Sequence, residues 1–98
     1  MRIPIIETTT ISNQFKKIMS EYHECKIEFE KMGTYAERDK AEVTKDLQLE
    51  ALDLLTATMN LVEMLNIPPE TIKEWQDKMR CYEKTKGYKI EKWVEVNE

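Results

Sequence analysis

The sequence predicts an all-α fold in which antiparallel helices build a four-helix-bundle-type core through homo-oligomerisation. Three observations carry this. Only two glycines and three prolines occur in 98 residues, while 35% of the residues are charged; a chain so poor in turn formers spends most of its length in helices. Ile11, Phe15, Ile18, Tyr22, Cys25, Phe29 and Met32 recur at alternating spacings of four and three, the period of a helix with one apolar stripe. From Leu47 to Leu65 twelve of nineteen residues are apolar, more than one packing surface needs. The surplus is expected against a copy of the chain, as a homodimer or a tetramer.

Residues 1 to 9 read as an extended lead-in, because Pro4 disfavours helix before it, and Thr8 to Thr10 or Ser12 can cap a helix that starts there. The first helix is expected at about 10–31, closed by Gly33. A charged approach leads into the second helix, at about 37–65 with a start near Tyr35 to Asp39. Asn66 and the Pro68-Pro69 pair break it, and Pro69 suits the first position of a third helix at about 69–84. That helix carries Ile72, Trp75, Met79 and Tyr82 on one face. Beyond Gly87 a weakly alternating tail could pair as a strand with the lead-in. With no repeat or linker, residues 1–98 read as a single domain.

Composition removes several function classes. The net charge of −4 argues against nucleic acid as a partner, since phosphate backbones select basic surfaces. No apolar run is long enough to span a membrane, and polar residues by position 7 exclude a signal-peptide core. Cys25 and Cys81 stand far apart without metal-ligand spacing, so reduced thiols in a cytoplasmic protein are expected.

The chemistry is concentrated in acids. Glu21 and Glu24 form a Glu-x-x-Glu pair on the first helix, and Glu50 and Asp53 a Glu-x-x-Asp pair on the second. Residues three apart project about 60° from one another, so each pair shares a face. Between Asp46 and Ile72 there is no Lys or Arg, so the second pair lacks the basic neighbours of a solvated helix face. If the helices run antiparallel, the pairs can meet. Two unit charges about 4 Å apart repel by roughly 4 kcal/mol at an effective dielectric of 20, so protons or a hard cation must neutralise them. All-oxygen ligands select Mg²⁺, with Mn²⁺ as a substitute. The competing reading is an ordinary solvated edge, since Lys17 precedes Glu21 by one turn. His23 points away from both flanking acids, and the absence of Glu-x-x-His disfavours a di-iron bundle. Asn60 is the polar residue of the second helix hardest to explain by structure, because a buried amide needs partners.

These motifs resemble a family. Glu21-Tyr-His-Glu24, a gap of 25 residues, and Glu50-Ala-Leu-Asp53-Leu-Leu-x-x-x-x-Asn60 are similar to the signature of the all-α nucleoside triphosphate pyrophosphohydrolases. That superfamily contains MazG domains, the closer likeness, and the dimeric dUTPases. Asp77-Lys78-Met79 resembles the family's segment on the third helix. The chain departs from the pattern at Ser20, where an acid is common, and at Gln76, where an asparagine is. The resemblance implies Mg²⁺ held by Glu21, Glu24, Glu50 and Asp53, with Glu21 or Glu24 also activating water. It implies contacts from Asn60 and Lys78 to a nucleoside triphosphate, cleaved to monophosphate and pyrophosphate. The alternative is a non-catalytic helical interaction module or a nucleotide sensor.

Overall fold

The computed structural model describes residues 1–7, 10–32 and 40–94. It contains three helices, α1 (Ile11–Lys31), α2 (Lys40–Met64) and α3 (Pro69–Thr85). No strand occurs among the described residues, so the tail does not pair as one up to residue 94. The expected Gly33 stop and the start of the second helix near Tyr35 to Asp39 lie outside the described residues.

Local chemistry sets the ends. Thr10 is extended at φ −146°, and its Oγ1 accepts the Asn13 amide at 3.0 Å, satisfying one of the donors that α1 leaves open. After α2, Asn66 takes φ 47°, the left-handed region that asparagine tolerates better than most residues. Pro69 opens α3, where its missing N–H costs nothing.

The described chain packs as two compact units, Pro4–Met64 and Met1–Ile3 with Leu65–Glu98. In the first, α1 lies against α2. Gln14 meets Ala57, and seven residues on Glu21 meets Glu50, seven residues back, so the helices run antiparallel in a shared two-turn step. In the second unit, Gly87 at φ 71° turns the chain back after α3. The Tyr88 amide then donates to the Tyr82 carbonyl at 3.3 Å. Tyr88 lies edge-on to Tyr82 and Trp93 edge-on to Trp75, with centroids 6.3 Å apart in both pairs. The tail therefore returns along α3 as an aromatic clasp.

The face of α1 against α2 is not its apolar stripe. Its two buried residues are Gln14 and Glu21, which share a bearing about 60° from the centre of the stripe. Phe15, Met19, Tyr22 and Phe29 remain exposed, and Ile18 and Cys25 at the boundary are half-buried. Among the described residues the only buried hydrophobic side chains are Val43 and Ala57, and neither is completely sealed from solvent. So small a core leaves most of the apolar surface of α1 open.

Candidate functional site

The site begins with the polar register of α1 and α2. Gln14 is 3% exposed, and its Nε2 donates to the Ala57 carbonyl at 2.8 Å. That bond pins the helices two turns from the acids. There, one carboxylate oxygen from each of Glu21, Glu24 and Glu50 lies within 4.8 Å of the others. Two motifs 25 residues apart in sequence thus converge. Asp53 stands one turn along α2 from Glu50, outside that triangle, and its charge is felt by Glu50 and by Lys17.

Compensation within the cluster is incomplete. Glu21 is 7% exposed; its Oε1 accepts from Lys17 Nζ at 2.7 Å, while its Oε2 is buried without a partner among the described residues. Glu50 Oε2 is in the same condition. Buried carboxylate oxygens without donors are costly. The Glu50 carboxyl is accordingly held above the ordinary carboxylate range, first by desolvation, then by the negative charges of Glu24, Asp53 and Glu21. The Lys17 ammonium is held above its ordinary range, first by its hydrogen bond to Glu21 and then by attraction to the same carboxylate. Glu28, two turns beyond Glu21 on this edge, pairs with Lys31 at 3.0 Å.

A cavity of about 540 Å³ adjoins the acids. Glu21, Asp53 and Lys17 line it with charge, Gln14, Thr56 and Asn60 line it with neutral polar groups, and Glu7 adds a further carboxylate. The expected bearing of Asn60 holds, since it lines the same cavity as Asp53, about 10 Å along the helix. Asn60 is 2% exposed, and its side chain is engaged. Nδ2 donates to the carbonyls of Thr56 at 2.7 Å and Pro4 at 2.9 Å, and Oδ1 accepts the Ile6 amide. The lead-in is therefore tied down by this amide, and Ile6 and Glu7 form one wall of the cavity.

Lys78 lies in the other unit, on α3, exposed, with its Nζ 5.7 Å from the Tyr82 ring centroid. His23 is exposed, and the thiols of Cys25 and Cys81 are free. No described helix is long and apolar enough to cross a membrane. Sequence reasoning missed Gln14 and the lead-in. The signal for Gln14 was present: it precedes Glu21 by seven residues and so shares its face. The lead-in carried none, because its anchors are backbone groups.

Comparison with protein-family models, curated proteins and solved structures finds no match to this chain. The functional reading rests on the residues themselves.

Proposed function

We propose that the chain is an Mg²⁺-dependent nucleoside triphosphate pyrophosphohydrolase, MazG-like, that clears unwanted nucleotides. The observation that supports this most is the convergence of Glu21, Glu24 and Glu50 within 4.8 Å, with a nearly buried Glu21 whose Oε2 has no donor among the described residues. An all-oxygen donor set with orphaned buried oxygens fits a hard divalent cation. Glu21, Glu24 and Glu50 would hold it, with Asp53 one turn away. A divalent cation there supplies charge neutralisation for phosphate oxygens and acidifies bound water.

The side chains divide the remaining work. Glu21 or Glu24 orients the water that attacks the α-phosphorus, releasing pyrophosphate and leaving a nucleoside monophosphate. The cavity is large enough for a small ligand, and the amides of Gln14 and Asn60 in its wall suit a sugar or base. Asn60 enters this reading in two ways, as a contact to the nucleotide and as the anchor of the lead-in wall. Lys78 enters it through the resemblance alone. The exposed stripe of α1 adds a second part to the proposal: a copy of the chain covers it, completing a four-helix core in a cytoplasmic homodimer or tetramer.

The test is pyrophosphate release over a panel of ribo- and deoxyribonucleoside triphosphates with Mg²⁺. Release of monophosphate and pyrophosphate in equal amounts supports the enzyme. Tight Mn²⁺ binding through the acids, with no turnover of any nucleotide, supports the sensor instead.

A further inference from the structure

We propose that Lys17 is the anion-binding residue of this site, presenting its ammonium to the phosphate chain of a ligand whose cation is held by the carboxylates. The inference rests on the metal-site reading above and adds to it a residue that neither the motifs nor the resemblance assigns. Three observations carry it. Lys17 is the only basic residue among the described residues lining the cavity, which otherwise presents Glu7, Glu21 and Asp53 as its charged groups. Its Nζ is 2.7 Å from Glu21 Oε1, whereas Glu21 Oε2 is, with Glu50 Oε2, one of two orphaned oxygens of the acid cluster. One carboxylate thus serves both sides, with one oxygen holding Lys17 and the other left for a cation. The Lys17 side chain is more than half exposed although its partner Glu21 is buried, so the ammonium stands at the boundary between cluster and open cavity.

An ammonium carries three donors, and the Glu21 bond uses one. The others are available to oxygens arriving in the cavity. A bare anion would meet three acids there and be repelled. An anion that brings a divalent cation presents both charges in the order the site offers, cation toward Glu21, Glu24 and Glu50, and phosphate oxygens toward Lys17. Charge-assisted bonds of this kind are the strong ones. Glu21 is in this account a positioning residue for Lys17 as well as a metal ligand.

The test uses the full chain with Mn²⁺ and inorganic tripolyphosphate as probes, following bound Mn²⁺ by electron paramagnetic resonance and tripolyphosphate by calorimetry. Lys17→Met is expected to keep Mn²⁺ binding, or tighten it up to about tenfold by removing a nearby positive charge. It should weaken tripolyphosphate binding to the Mn²⁺-loaded protein by about tenfold or more. Lys17→Arg should recover most of that loss, which a merely structural ion pair would not require. If Lys17→Met binds tripolyphosphate as the parent does while both take up Mn²⁺, the Lys17 assignment is overturned and the metal site stands. If the parent takes up no Mn²⁺, the metal-site reading falls and the Lys17 assignment falls with it.

Discussion

Gln14 donates its side-chain amide to the Ala57 carbonyl across the α1–α2 interface, and this one bond fixes the register that brings Glu21 opposite Glu50. A polar side chain at the centre of a helix pair specifies one alignment, because any slip leaves its amide unsatisfied. Gln14→Leu keeps the bulk and removes the donor. It should cost about 1 kcal/mol in urea unfolding and weaken Mn²⁺ binding at the acids two turns away. Loss of stability with unchanged Mn²⁺ affinity would separate Gln14 from the geometry of the site.

The apo protein should show the strain of its acids. The native Glu50 carboxyl is raised above its ordinary 4.5, so between that value and the raised one the native state binds more protons than the unfolded chain. Unfolding free energy therefore falls as pH rises through this window. In EDTA, Glu50→Gln should melt higher than the parent, and the gap should widen as the pH rises above 4.5. A gap that stays constant with pH would show that Glu50 is not desolvated among like charges.

How much of this was legible in the sequence differs by feature. The three helices were, because Thr10, Asn66 and Pro69 are boundary signals whose chemistry is local. The meeting of Glu21 and Glu24 with Glu50 was legible as a condition, given antiparallel helices. The packed face of α1 was not. Periodicity finds the apolar stripe, yet the helix turns Gln14 and Glu21 toward α2 and leaves Phe15 and Tyr22 outside. A pattern of hydrophobicity cannot say whether an apolar face meets the same chain or another. The anchoring of the lead-in was equally hidden, since Asn60 reads backbone groups at Pro4 and Ile6 that any residue could supply.

That anchor leads to a third expectation. Asn60→Ala removes three hydrogen bonds, two of them to the lead-in. The Ile6 amide should lose its protection in hydrogen exchange, and nucleotide affinity or preference should change, while Mn²⁺ binding survives. Retained protection at Ile6 would mean that the lead-in is held by other contacts.

The exposed stripe of α1 gives a fourth. Sedimentation at micromolar concentration should show a dimer or tetramer, and Phe15→Glu or Tyr22→Glu should shift it toward monomer. A well-folded monomer for the parent would defeat the oligomer and leave Phe15, Met19, Tyr22 and Phe29 exposed without a reason.

Glu21, Glu24, Glu50 and Asp53 are proposed to work as one unit on a triphosphate. The most direct measurement is pyrophosphate production with Mg²⁺ by the parent, Glu50→Gln, Asp53→Asn and the double variant. Each single change should lower turnover by about a hundredfold or more, and the double should add little, because residues that act together lose their function together. Full activity of Glu50→Gln and Asp53→Asn on a substrate that the parent hydrolyses would contradict the carboxylate site outright.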